Sequence, residues 1–517
     1  MKRFFRGNWA YILLGILVLA LFCLRLYHLT LLPIFADEAI YIRWAQVMRA
    51  EETLRFLPLS DGKEPLYMWA IIPFFKFIKD PLFAGRFVSI LTGFGTMMGV
   101  SLLSWLLFKS KKVALVAALI YAVSPFTFFF DRMALVDSML SMFGVWTFVF
   151  SYLAFSKERL DFAMIAGFML GGAWLTKSPA LFFALMLPVL WLFSDWKRGS
   201  ETIVKHVFKL AGLTFPIVLI GYGMFNILRL GPNFQLIASR NLDYVYPFSH
   251  IFISFFDPLK GHIVGIIDYF VKMGPIGLVL LALLGILVNF RRKLTTIIPL
   301  KVWALVPIFI TAEYSKVVTA RYILYVIPFF AILAASSFET KSNLVKKIGA
   351  LILAIFLIQS FLFDYQLLTN VSAAPIPAGD KDGYLEEWTA GQGIKEISSY
   401  IKDQAGNLPS GQKIVVGTEG YFGTLPDGLE IYLQDVKNVV VIGVGVNINK
   451  IPQSLLDSKA SGNKTYLVIN KSRLTVKPES LNLKLIASYP KTPRRVGSVE
   501  YNSLGPEENL YFFEVNK

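Results

Sequence analysis

Acidic and basic side chains recur beside apolar runs along the first 321 residues of this chain. They are Asp37, Glu38, Lys63, Glu64, Arg86, Arg132, Asp137, Lys177, Glu313, Lys316 and Arg321. A carboxylate can take the proton from an acceptor hydroxyl. Several cations can hold a phosphate and stabilise the charge that develops as it leaves. Arginine suits bidentate phosphate contact, whereas lysine acts as a point charge. Acids and bases mixed in this way beside apolar helices fit group transfer from a phosphate-bearing lipid. Taken singly, each residue is more often a solvated loop group or an interface anchor. The argument for a site is that they converge.

Convergence depends on the elements that carry them. The chain has 517 residues, 55% of them hydrophobic, with a mean hydropathy of +0.57. Soluble domains are ~45–50% apolar even with glycine counted, so the excess must pack into lipid or a very large core. Apolar runs near the ~20 residues needed to span a bilayer decide for lipid. The net charge of +16 could suit a nucleic-acid protein, but Lys and Arg sit in short clusters between the runs. That is the pattern of a positive-inside bias. The single cysteine, Cys23, lies in the first apolar run, which excludes disulfide and cysteine-based zinc frameworks.

The expected spans are 9–29, 82–108, 113–130, 136–155, two short helices within 162–193, then 210–228, 273–290, 297–312, 322–338 and 348–363. Lys2, Arg3 and Arg6 keep the N-terminus inside, and the first run reads as an uncleaved signal anchor. The stretch 39–49 is amphipathic, and 66–78 is too short to span and reads as interfacial. Lys177-Ser178-Pro179 breaks the 162–193 run, because proline disfavours helix at the residue before it. Residues 195–209 form a basic inner stretch, and 229–272 a long outer loop. With this alternation every charged group named above falls on one outer face. About eleven spans put the C-terminal part outside as well.

Composition shifts after Tyr365, and 375–379 reads as a linker. Strand signals at 413–417, 439–444, 465–469, 485–489 and 510–515 alternate with helical signals at 393–404 and 452–456. Such alternation predicts an α/β layered domain. Gly443-Val444-Gly445 after a strand lacks the third glycine of a dinucleotide fingerprint and reads as a turn. Asn370, Asn463 and Asn470 head N-glycosylation sequons that carry little weight.

Five segments together resemble a known superfamily. Phe35-Ala36-Asp37-Glu38-Ala39-Ile40-Tyr41 resembles the Asp-Glu motif of the C-type-fold glycosyltransferases that use lipid-linked sugars. Protein O-mannosyltransferases and lipid A aminoarabinose transferases share the pattern. Lys63-Glu64-Pro65-Leu66-Tyr67-Met68-Trp69 resembles their basic-Pro-Leu-x-x-Trp segment, and Ala84-Gly85-Arg86-Phe87-Val88-Ser89 the arginine opening their second span. Asp131-Arg132-Met133-Ala134-Leu135-Val136-Asp137 resembles their Arg-x-x-x-x-Asp loop. Leu175-Thr176-Lys177-Ser178-Pro179 resembles their Thr-Lys-Gly-Pro turn. Two departures stand out. Some relatives place Glu before Lys, or a second Pro, at Lys63-Glu64-Pro65, and Ser178 replaces the usual glycine.

The resemblance implies roles. Asp37 is the general base or orients the acceptor, and Glu38 supports it. Lys63, Arg86 and Arg321 are candidates for the donor phosphate. Arg132 and Asp137 form a supporting pair that holds the first outer loop, with Glu64 and Lys177 also in support. The sugar carbon inverts as polyprenyl phosphate leaves. No metal is expected to be required, since His28, His206, His250 and His262 show no tight ligand spacing, although metal use varies in the superfamily.

The expected architecture is a polytopic α-helical membrane domain at 1–366, a linker at 367–383 and an extracytoplasmic α/β domain at 384–517. The expected activity is sugar transfer from a polyprenyl-phosphate donor to a glycan, lipid or protein hydroxyl at the outer face of the cell membrane, with no nucleic-acid partner. Two other readings compete. A transporter or flippase would show repeats and helices broken at the midplane. A surface binding protein would use the tail as its working part, for which one span suffices as anchor.

Overall fold

Apolar runs bounded by polar caps fold as helices throughout the first 370 residues. The computed structural model describes residues 2–196, 202–409, 411–481 and 483–516, without the side chains of residues 2–7. The charges of Lys2, Arg3 and Arg6 and residues 197–201 of the expected basic stretch lie outside that description.

Among the described residues, seven helices are long and apolar enough to cross a membrane, or eight if one bent pair counts as a span. Their edges follow local chemistry. Ser110 Oγ accepts from Val113 N–H to open Lys111–Val123, and Ser342 Oγ accepts from Val345 N–H to open Asn343–Thr369. Such caps satisfy donors that the helix itself cannot reach. The N-terminal helix Lys2–Leu26 exposes Leu13, Ile16 and Leu19, as a lipid-facing element must.

Several expectations need correction. The run 113–130 is not one helix: Lys111–Val123 stops at Ser124, and Pro125 opens a separate Pro125–Phe130. Ser124 precedes a proline and is extended, which ends the first helix. The outer loop 229–272 contains the helices Leu236–Tyr244, His250–Ile253 and Leu259–Lys272. Leu259–Lys272 meets Pro275–Asn289 at 101°, with proline at the break. The run 162–193 does split as expected, into Leu160–Trp174 and shorter turns from Ser178 to Phe193. The last apolar helix continues to Thr369, past the expected start of the linker.

The chain forms two compact units that do not follow the expected division at residues 366 and 384. The first holds Met1–His28, Thr53–Ala70 and Arg86–Pro377. Its helices approach closely where glycine permits: a Cβ on Gly285 would lie 1.9 Å from the Leu333 carbonyl oxygen.

The second unit holds Leu29–Glu52, Ile71–Gly85 and Ala378–Lys517. The tail therefore folds with two segments that the sequence reading assigned to the membrane domain. Its five strands are β1 (Ile414–Glu419), β2 (Val439–Gly445), β3 (Lys464–Asn470), β4 (Leu483–Pro490) and β5 (Asn509–Val515). The sheet order is β2-β1-β3-β5-β4, parallel across the first three and antiparallel onto β5 and β4. Leu455, Leu467, Ile469, Phe513 and Val515 make the core beneath it. Gly443-Val444-Gly445 is the end of β2 and not the expected turn, and glycine is needed there because a Cβ on Gly443 would meet the Gly420 carbonyl oxygen.

Candidate active site

In the first unit, one cluster gathers residues from distant segments that the sequence reading expected on one face. Asp137 opens helix Val136–Lys157, and its carboxylate is almost wholly buried. Lys177 Nζ donates to Asp137 Oδ1 at 2.6 Å and also lies 4.6 Å from the centre of the Tyr322 ring. The Arg321 guanidinium lies 5.6 Å from the same ring. Asp137, Lys177 and Arg321 thus meet around Tyr322, which the sequence reading did not single out.

The two departures from the superfamily pattern are partners here. Ser178 Oγ donates to Glu64 Oε1 at 2.7 Å, and Asn241 Nδ2 donates to Ser178 Oγ at 3.2 Å. Burial pushes the Glu64 carboxyl above its usual range, while the Ser178 hydrogen bond and the Lys177 charge partly offset this. Glu64 therefore faces inward. Lys63 lies 3.4 Å from Asp61, which also pairs with Arg240 at 3.2 Å. Gly62 allows this close approach with φ +63°, and a Cβ there would meet the Leu236 carbonyl at 2.4 Å. Removing the donor in Ser178→Ala should cost about 1–3 kcal/mol, the usual cost of an unsatisfied buried group. A lowered melting temperature of the purified protein, restored in Ser178→Thr, checks it.

A second cluster in this unit corrects the expected Arg132–Asp137 pair. Arg132 donates to the Leu24 and His28 carbonyls, both at 3.0 Å, and so caps the end of the first helix. Asp137 is instead held by Lys177. Four exposed carbonyls end every helix and attract a cation, which explains Arg132's choice. Burial, then the neighbouring Arg86 and Arg25 charges, pulls the Arg132 guanidinium down to about 9. Arg86 is fully buried beside it. Arg25 pairs with Asp131 at 3.1 Å, both side chains fully buried, and Ser138 Oγ donates to Asp131 at 2.6 Å. Arg25 was missed in the sequence reading, though a charge inside an apolar span is itself a signal.

Two remaining members of the outer-face set stand apart. Lys316 Nζ donates to the Leu242 carbonyl at 2.8 Å. Both Glu313 carboxylate oxygens are buried without a hydrogen-bond partner among the described residues.

In the second unit, Asp37 lies in the first turn of helix Ala36–Ala50, half-buried. Glu38 is fully buried and accepts from the Phe35 N–H at 3.0 Å, capping its own helix. The helix is held at both ends. Ala36 N–H donates to the Thr389 carbonyl and Gly391 N–H to the Ile34 carbonyl, at 3.0 and 2.8 Å. Gln46 Nε2 donates to the Ile431 carbonyl at 2.9 Å, and Arg43 pairs with Glu430 at 2.7 Å. The loop that grips the N-terminal end is itself braced: Lys491 Nζ donates to the Glu387 and Ala390 carbonyls, and Arg494 bridges Glu387 and Glu508.

Helix Asp427–Leu433 carries this grip, and a buried acid opens it. Burial pushes the Asp427 carboxyl up to about 6, despite a hydrogen bond from Gly423 N–H. A carboxyl raised in the folded state contributes stability below its unfolded value, near 3.8, and loses it as pH rises through about 6. About 3 kcal/mol should be lost across that window. Thermal unfolding at pH 4.5 and 7.5 checks this. Wild type should lose stability relative to Asp427→Asn at the higher pH, and a pH-independent difference would sink the assignment.

Among the described residues, no three His, Cys, Asp or Glu side chains form a group that could hold a metal ion.

The chain is similar to known proteins in part of its sequence and in its fold. Residues 62–222 match the family model described as dolichyl-phosphate-mannose-protein mannosyltransferase, a stretch that includes Lys63, Glu64, Arg86, Arg132, Asp137 and Lys177 but not Asp37. The fold is similar to that of ArnT from Cupriavidus metallidurans, solved bound to undecaprenyl phosphate. That likeness has a TM-score of 0.61 at 12% identity and covers 98% of each chain. It is also similar to the oligosaccharyltransferase AglB from Archaeoglobus fulgidus, solved with an inhibitory peptide and a dolichol-phosphate. There the TM-score is 0.50 at 12% identity, over 90% of this chain and 70% of that one. No curated protein sequence matches the chain. The resemblance to C-type-fold lipid-linked-sugar glycosyltransferases thus holds in sequence over 62–222 and in fold over nearly the whole chain.

Proposed function

We propose that this protein is a membrane glycosyltransferase that moves a sugar from a polyprenyl-phosphate donor to an acceptor hydroxyl at the outer face of the cell membrane. The observation that carries the reading is the Asp137–Lys177–Tyr322–Arg321 cluster, built from three separate segments, with Asp137 and Lys177 inside the stretch matching the mannosyltransferase family. Asp37 takes the proton from the acceptor hydroxyl. The acceptor oxygen bonds to the sugar carbon as the bond to phosphate oxygen breaks, inverting that carbon. The electron pair leaves on the polyprenyl phosphate, whose charge Arg321, Lys63 and Arg86 stabilise. Glu38 fixes the turn that carries Asp37, and Lys177 orders the cluster through Asp137. An inside N-terminus and an outside sheet unit belong to the same reading, supported by the alternation of basic clusters.

No step is assigned to a metal, and transfer should persist in excess EDTA at an unchanged rate. The test of the whole reading is a panel of polyprenyl-phosphate sugars offered to the purified protein with candidate acceptors. Mass detection of released polyprenyl phosphate from one donor supports it, and no release from any donor overturns it. The 101° break before Pro275–Asn289 is the feature a transporter would share. Donor-independent lipid movement in vesicles would favour that second reading.

A further inference from the structure

The second unit contains a cavity of about 650 Å³ that the proposed chemistry does not use. Its charged lining is Arg49, Lys79, Lys395 and Lys402 against Asp80 and Asp435, an excess of two positive charges (four minus two). Lys395 is spent on Asp80 at 2.9 Å. The side chains of Arg49, Lys79 and Lys402 have no ion-pair or hydrogen-bond partner among the described residues. They come from three segments: helix Ala36–Ala50, the stretch before Pro81 and helix Ile394–Gly406. Unpaired cations around a concavity raise the local concentration of anions and suit phosphate in particular.

The cavity's place in the chain indicates the source. Pro81 lines it and is the first residue of Pro81–Phe108, a helix long enough to span a membrane. Just before it, Phe77 is 77% exposed, with the Lys76 ammonium 5.9 Å from its ring centre. Exposed aromatics with basic neighbours sit at headgroup depth. We infer that this cavity binds the phosphate headgroup of an anionic membrane lipid. The site is separate from the transfer chemistry and does not rest on it.

The test uses the full-length protein in detergent, with lipid retention read by native mass spectrometry. Phosphatidylglycerol and phosphatidic acid should each be retained about 10-fold better than phosphatidylcholine. The double variant Arg49→Glu/Lys402→Glu should lose about 10-fold of that retention, and Arg49→Gln and Lys402→Gln about 3-fold each. Lys459→Glu, away from the cavity lining, should change nothing. Both substituted side chains are exposed, so the fold should persist, and the single variants stand if the double variant does not. Equal retention of phosphatidylglycerol by wild type and these variants overturns the proposal. So does displacement by an equal concentration of free glycerol 3-phosphate, which would make this a site for soluble phosphate esters.

Discussion

Asp37→Asn should lower sugar transfer by about 10²-fold or more, the range in which a general base acts. The change removes the proton acceptor. Asp37 sits in the first turn of its helix, where a negative charge is worth under about 1 kcal/mol. Asparagine keeps the shape, and the grips at Thr389, Gly391, Ile431 and Glu430 do not involve Asp37. The protein should therefore insert, purify and melt almost as wild type. KM for the donor should move little, because the base acts on the acceptor. Glu38→Gln makes an informative comparison. Its carboxylate is spent on the Phe35 N–H, so its loss should cost less in rate than the loss of Asp37. Near-normal release of polyprenyl phosphate by Asp37→Asn would remove Asp37 from the reaction.

Arg25→Met should destabilise the first unit by about 3–5 kcal/mol, the usual cost of stranding one member of a buried ion pair. Asp131 would keep the Ser138 and Tyr121 hydrogen bonds but lose its counter-charge while fully buried. Adding Asp131→Asn removes the stranded charge, so the double variant should recover most of the loss. The temperature of half-unfolding in detergent reads both. If Arg25→Met melts with wild type, the pair does not tie the first helix to the 131–137 loop. Arg132 is the next brace on that helix, through the Leu24 and His28 carbonyls.

Together these contacts explain how distant motifs are held. These motifs are held by backbone or side-chain contacts that their own segments cannot provide. Lys177 is aimed by Asp137, forty residues earlier, and Glu64 is held by Ser178. The helix carrying Asp37 is gripped by loops some 350 to 390 residues further on. The tail accordingly holds the turn that carries the proposed base.

The sequence by itself determined where chain would be helical, where the sheet would begin, and which residue types could do chemistry. Apolar length and proline position are local properties, and they set Pro81–Phe108, Val136–Lys157 and the break at Ser178 closely. Strand signals foretold all of β1 to β5. Tertiary structure alone decided partners. Arg132 and Asp137, five residues apart in one motif, looked like a pair. Helix-end carbonyls took one and Lys177 the other, because burial makes each polar group bond whatever lies nearest in space. The same rule joined Glu64 to Ser178 and placed helix Ala36–Ala50 in the sheet-bearing unit. Those choices depend on packing between segments hundreds of residues apart, which no local pattern encodes.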